Sequence, residues 1–249
     1  MKEKVSVLVI AHNEEKYIKK CINSILNQTR KPDEVVVIAH NCTDGTQNVL
    51  ENFSQEKILL KIVNHDGPEG VVYARKKGFE EVSGDIIACI DGDSYASENW
   101  LKKITNPLIK NKEMGAVGGL VLFYNSFFAN LWSLTFFFTD RIFRPTYHFY
   151  FWGANFACRK KTYDEAGGLK PLFELKNKMN LNFWAEDLYL SLLLERRGRI
   201  VFKPSAIIYS VWKGNHPLKV ERGNKQQEDR LKFLKYFGNH IDENTSKCS

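Results

Sequence analysis

No C-x-x-C pair occurs in this chain. Its five cysteines, Cys21, Cys42, Cys89, Cys158 and Cys248, are scattered and odd in number, which argues against a disulfide framework and against a zinc knuckle. Reduced thiols fit the cytosol, and Cys89, inside an apolar run, reads as a small core hydrophobe. Also missing is the run of roughly 20 apolar residues that a membrane span needs. The apolar run near the N-terminus, Val5 to Ala11, has only seven residues, too few for a signal-peptide core with its cleavage site. The most aromatic stretch, "FFANLWSLTFFFTDRIF" at 127–143, is broken into short apolar pieces and closed by Asp140 and Arg141. It is either a face for a membrane surface or a buried wall beside a pocket. No glycine-rich phosphate loop follows the first apolar run, where "AHNEEKY" stands instead, and this argues against a nucleotidyltransferase. The formal net charge of +7 comes without a recognition helix or an RNA-binding signature. Nucleic acid is therefore not an expected partner, and most of the lysines read as a solvated basic surface. There is no internal repeat and no low-complexity linker.

What is present is an ordinary globular balance, 43% apolar and 26% charged over 249 residues. A chain of that size can bury a core without staples. Its first third alternates β-branched apolar runs with helical spacing. "VSVLVIA", "DEVVVIAH", "ILLKIVNH" and "DIIACID" read as strands. "NEEKYIKKCINSILNQT", "CTDGTQNVLENFSQ" and "EGVVYARKKGFEEVSG" read as helices between them, the first capped by Asn13 with Glu14 and Glu15 in its opening turn. Strands that are apolar on both faces and alternate with helices predict an α/β fold, a mostly parallel central sheet with helices on both faces. Later come a short helix from near Ser97, strands at "GAVGGLVLFYN" and "IVFKPSAIIYS", and a helix in "AEDLYLSLLLERRGR".

"IIACIDGDSY" ends a buried strand in two carboxylates, Asp91 and Asp93. Residues i and i+2 of an extended chain share a side, and Gly92 between them would let a ligand approach the backbone. Such a pair suits a hard divalent cation that completes its shell with water and phosphate oxygens. It equally suits an Asx turn after a strand.

Five stretches, "VSVLVIAHNEEKYIKKCINSILNQT", "DEVVVIAHNCTDGT", "ARKKGFEEVSGDIIACIDGDS", "GANFACRKKTYDEAGGL" and "WAEDLYLSLLLERRG", occur in an order that resembles glycosyltransferase family 2, the nucleotide-sugar enzymes of the GT-A fold. They cover about residues 4 to 210. The resemblance implies a donor site in which Ala11, His12, Asn13 and Glu14 contact the nucleoside, Arg75 reaches the diphosphate, and Asp91 contributes to donor binding. It implies a Mg2+ or Mn2+ site on Asp91 and Asp93, with Asp93 the direct ligand and His216 a further candidate. In the second loop the family carries an Asp. Here the chain reads Ala39-His40-Asn41, so His40 stands in the acidic position, either as an altered nucleotide contact or merely finishing the turn. Asp44 reads as a turn residue.

On the acceptor side the resemblance implies that Asp187 of "AEDLYL" is the base, with Glu186 an acceptor or orienting contact. The residue-level alternative for this pair is a helix N-terminus. Trp152, Gly153, Asn155 and Trp184 are the expected acceptor floor, although large aromatics serve cores as readily. "QQEDRL" resembles the Q-x-x-R-W of processive synthases, with Gln227 and Arg230 in place and Leu231 for the Trp. Without membrane helices to form an export channel, this implies an enzyme adding one sugar per visit.

The whole is expected to be one domain over 1–249, with a nucleotide-binding half at about 1–95, an acceptor half at about 96–217 and a basic amphipathic tail at 218–249. Its expected partners are a nucleotide-diphospho-sugar and a glycan, lipid-linked or small acceptor. Its expected place is the cytoplasm, with peripheral contact at the inner face of the membrane. The competing class is a nucleotide-sugar or glycan-binding protein without turnover, motivated by His40.

Overall fold

A computed structural model describes residues 2–54, 59–134 except 132, 151–181, 186–213 and 228–236 except 230 and 234. The strands are β1 (Val5–Ala11), β2 (Glu34–His40), β3 (Leu60–His65), β4 (Ile86–Asp91), β5 (Tyr95–Ala96), β6 (Met114–Phe123), β7 (Asn155–Arg159) and β8 (Arg199–Ser210). The helices are α1 (Ile18–Leu26), α2 (Thr46–Ser54), α3 (Val71–Glu81), α4 (Trp100–Lys110), α5 (Lys160–Glu165), α6 (Lys170–Lys178) and α7 (Glu186–Glu195).

The eight strands among the described residues form one sheet in the order β3-β2-β1-β4-β7-β6-β8-β5. β1, β2, β3 and β4 run parallel, as do β6 and β8. β7 is antiparallel to both β4 and β6, and β5 is antiparallel to β8. The reversal at β7 joins a parallel nucleotide-type half to a mixed second half.

Every residue of β1 is buried, which explains its uninterrupted apolar sequence: both faces are covered. Val5, Val7, Val9 and Ala11 face α1, α2 and α4. Leu8 and Ile10 face α3 and α7. The expectation of helices on both faces therefore holds.

Local boundaries differ from the sequence reading for identifiable reasons. The first helix begins at Ile18, with Tyr17 at its N-cap, not at Asn13. Asn13 takes a left-handed φ of 56°, and its Oδ1 accepts the backbone N–H of Thr43 at 2.7 Å and of Asp44 at 3.3 Å. It ties the first loop to the second instead of capping a helix. α6 follows two glycines at φ 86° and 57°, Gly167 and Gly168, and the sequence reading left it unassigned. In the tail, Phe233 is fully buried, against Tyr189 of α7 at 6.4 Å between rings.

Candidate active site

Three loops meet at the carboxyl ends of β1, β2 and β3, stitched by carboxamides. Asn13 holds loop two as described. Asn41, at φ 47°, donates Nδ2–H to the Gly67 carbonyl at 2.8 Å and accepts the Gly67 N–H at 2.9 Å. Asp44 accepts from Thr46 N–H at 3.0 Å and Glu15 N–H at 3.1 Å, so its carboxylate secures its own turn and the neighbouring loop.

His12 donates Nδ1–H to the carbonyl of His40 at 2.8 Å, because a carbonyl can only accept. The ring of His40 is spent inside the wall. It is buried, its Nε2 lies 3.1 Å from the Pro68 carbonyl, and its Nδ1 lies 3.0 Å from Nδ1 of His65, with the two rings stacked at 5.0 Å. Nδ1 also lies 3.0 Å from the His65 carbonyl, so each ring nitrogen faces a carbonyl oxygen that can only accept. Burial, with the neighbouring His40, holds the His65 imidazole below its usual pKa. Of the two readings of His40, its side-chain contacts match the one in which it finishes a turn.

β4 ends at Asp91 and turns at once, with Ser94 N–H donating to the Asp91 carbonyl at 3.0 Å. D-G-D is thus a turn as well as a carboxylate pair. Gly92 does not open the backbone to a ligand. Its N–H bonds the Ile10 carbonyl at 2.7 Å, and a Cβ there would lie 3.1 Å from the Ala11 Cβ and 3.2 Å from the Ile18 Cδ1. Its glycine is explained by close packing against β1 and α1.

The two aspartates have different surroundings. Asp91 Oδ1 is a buried oxygen without a hydrogen bond, 3.9 Å from Nη2 of Arg75. Arg75 is 2% exposed, reaches Glu186 Oε1 also at 3.9 Å, and donates Nη1–H to the Gly153 carbonyl at 2.6 Å. It lies behind the site as a shared counter-charge, not on the surface where a diphosphate would meet it. Burial pushes the Asp91 carboxyl up to about 6 against the pull of Arg75, with Asp93 adding to the rise. Burial and the adjacent Asp187 push Glu186 to about 7.

Asp93 Oδ1 accepts from the hydroxyls of Ser94 at 3.2 Å and Ser210 at 3.3 Å. Its Oδ2 lies 3.0 Å from Nζ of Lys213, which also donates to Glu14 Oε1 at 2.8 Å. Burial raises the Glu14 pKa against that ammonium, and Asp93 and Asp91 raise it further. Lys213 escaped the sequence reading because nothing in "SVWKGNH" separates it from the other scattered lysines.

Two carboxyl groups sit at the start of α7. Glu186 points inward to Arg75, and Asp187 is exposed, with Oδ1 accepting the Leu188 N–H at 2.8 Å. Arg75 thus stands between the end of β4 and the start of α7.

The expected acceptor floor is corrected at Asn155, which is wholly buried. Its Oδ1 accepts from Trp100 Nε1 at 2.8 Å, and its Nδ2 donates to the carbonyls of Leu120 at 2.9 Å and Ala206 at 3.1 Å. The carboxamide pins three elements together and meets no acceptor. A Cβ on Gly153 would lie 2.8 Å from Arg75 Nη2, so this glycine makes room for the guanidinium. Trp152 is half-buried, with its ring 6.2 Å from Phe123. Trp184, His216, Gln227 and Arg230 lie outside the described residues, as does the 135–143 part of the aromatic segment. Among the described residues, no three His, Cys, Asp or Glu side chains converge as a metal site.

Residues 6–167 match the model of "Glycosyl transferase family 2". The chain belongs to glycosyl transferase family 2. Among characterised relatives it is 35% identical over 121 residues to glycosyltransferase AglE of Haloferax volcanii, covering 48% of this chain and 40% of that protein. It is 31% identical over 121 residues to the glucosyl-dolichyl phosphate glucuronosyltransferase of the same organism, covering 48% of this chain and 38% of that protein. The chain thus spans about two fifths of the length of these relatives. The fold matches the mannosyltransferase PcManGT of Pyrobaculum calidifontis, solved with GDP-Man and Mn2+, at a TM-score of 0.71 and 18% identity over 94% of this chain and 65% of that one. The sheet and its covering helices are therefore a GT-A fold.

Proposed function

We propose that this chain transfers a sugar from a nucleoside-diphosphate sugar to an acceptor hydroxyl, one residue per visit and with inversion. The observation that carries this reading is the shared guanidinium. Arg75 faces Asp91 on one side and Glu186 on the other, both at 3.9 Å. The D-G-D turn and the exposed Asp187 thus flank one fixed charge. Asp187 is the base: it takes the proton from the acceptor hydroxyl as that oxygen bonds the anomeric carbon and the bond to the diphosphate breaks. Glu186 stays inside and holds Arg75 in place.

The donor set suits Mg2+ or Mn2+. Asp91 offers a buried oxygen without a hydrogen bond, and Asp93 a carboxylate at the same turn. Hard oxygen ligands of this kind favour those ions, with water and phosphate oxygens completing the shell. A bound cation would offset the charge that builds on the departing diphosphate. The first loop, Ala11 to Glu14, is the nucleoside contact in this reading, and backbone groups of loop two serve in place of the missing acid. These assignments gain support from solved neighbours of the same fold, described with GDP-Man and Mn2+, and with UDP, GalNAc and Mn2+.

Asp187→Asn should lower transfer by about 10²–10⁴-fold with donor binding retained. Incubation of UDP-, GDP- and dTDP-sugars with Mn2+ or Mg2+, followed by release of free sugar, checks this. Metal-dependent hydrolysis unaltered by the substitution would remove Asp187 from its role. Absence of turnover with every donor would favour the binding-protein reading.

A lipid-linked acceptor is the reading we favour among acceptors. A short helical segment after β6 presents Phe127 and Phe128 at 77% and 80% exposure, with Leu131 at 52%. Exposed apolar side chains on a chain of net charge +7 suit a membrane surface, and one relative is named for a dolichyl-phosphate-linked substrate. No helix among the described residues is long and apolar enough to cross a membrane. Co-sedimentation with vesicles of anionic phospholipid should fall at least threefold for Phe127→Ser/Phe128→Ser, on the order expected from losing two buried rings. Unchanged sedimentation would sink the membrane contact.

A further inference from the structure

We infer that Lys213 is an internal cation that must leave Asp93 before a divalent ion can bind there. This rests on the reading of Asp93 as a cation ligand. The structure places one ammonium on two carboxylates, 2.8 Å from Glu14 Oε1 and 3.0 Å from Asp93 Oδ2. Both acids are largely enclosed, with side-chain exposures of 10% and 15%, whereas the lysine side chain is 49% exposed. The carboxylates are therefore fixed and the ammonium has a route out.

The backbone beneath Lys213 is held independently of its charge. Asn125 grips Trp212 twice, accepting its N–H at 2.6 Å and donating to its carbonyl at 2.9 Å, and the Trp212 ring meets Phe123 edge-on at 5.1 Å. Ser210, three residues back, donates to Asp93 Oδ1 at 3.3 Å. The end of β8 is thus anchored, and only the flexible four-carbon stem needs to swing. Oδ2, the oxygen that Lys213 holds, is also the one that no serine touches. A divalent cation at Oδ2 and an ammonium 3.0 Å from it repel one another and compete for the same lone pairs. Lys213 therefore sets a threshold. It neutralises Asp93 and Glu14 in the resting protein and weakens cation binding, and it links the first loop to the D-G-D turn through one movable charge.

The test is a titration of the purified chain with Mn2+ alone, following free Mn2+ by electron paramagnetic resonance. Lys213→Met keeps the stem and removes the charge, and it should tighten Mn2+ binding on the order of tenfold, the equivalent of a charge-assisted contact removed. Lys213→Arg should stay near wild type. Lys20→Met serves as the control for general field effects. It removes an ammonium that sits 3.4 Å from the Tyr95 ring centroid, and it should shift affinity by no more than about twofold. Unchanged or weaker binding in Lys213→Met, or an equal gain in Lys20→Met, overturns the inference. Asp93→Asn separates the two ideas. If it loses Mn2+ while Lys213→Met is unaltered, displacement fails and the cation site stands. If it binds like wild type, or if neither wild type nor Lys213→Met binds, the cation site fails and this inference with it.

Discussion

The two aspartates of one turn live in opposite settings. Asp91 pairs with Arg75, which is 2% exposed. Asp93 pairs with Lys213, whose side chain is 49% exposed. A guanidinium buried between β4 and α7 cannot be exchanged and acts as part of the fold. An ammonium at the rim can be exchanged and acts as part of the site. Two residues of sequence separate a permanent counter-ion from a replaceable one.

The sharpest way to break this contrast is to remove each cation. Arg75→Met leaves Asp91 and Glu186 facing each other without their shared charge, and should cost about 3–5 kcal/mol at pH 8. Lys213→Met should change stability by less than about 1 kcal/mol, because its side chain is 49% exposed and water screens the pairs. Urea unfolding of both variants decides it: equal costs would mean that the rim and the interior are not different.

The next test uses pH. Folding raises the pKa of Glu186 to about 7 and of Asp91 to about 6. The folded state thus holds protons more tightly than the unfolded chain. This stabilisation is complete below the ordinary carboxylate range and is lost as pH rises to about 7. Wild type should unfold at lower urea at pH 8 than at pH 5. Glu186→Gln should reduce that fall by about 1–2 kcal/mol. Asp91 retains 36% side-chain exposure, so its share is smaller. An unaltered slope in the variant would show that Glu186 is ionised throughout.

The last test concerns the glycine between the two aspartates. Gly92→Ala should cost about 1–2 kcal/mol through contact with Ala11 and Ile18. A neutral result would show that the turn can move away from β1.

Sequence legibility followed the same divide between interior and rim. β1, β2 and β4 could be read directly, because burial on both faces leaves an unbroken apolar run. The α7 carboxylates and D-G-D were legible as chemistry. The antiparallel insertion of β7 was not, since pairing with β4 and β6 is set by contacts distant in sequence. Asn13 and Asn155 misled for a common reason. A carboxamide in a loop suits a cap, a ligand or a structural tie equally well, and only the partners distinguish these. Arg75 looked like a helix-surface cation within reach of phosphate, and Lys213 like any surface lysine; their roles depend on burial, which their sequence neighbours do not encode. Residues 215–227, with His216 and Gln227, remain sequence expectations.

Phe233, seated against Tyr189, carries a practical consequence. The α7 helix that begins with the Glu186–Asp187 pair has its buried face completed by a segment more than forty positions downstream. A protease cut or a shortened chain that removes Phe233 would strip a wall from that helix, and would reach the Glu186–Asp187 pair through the packing beneath it.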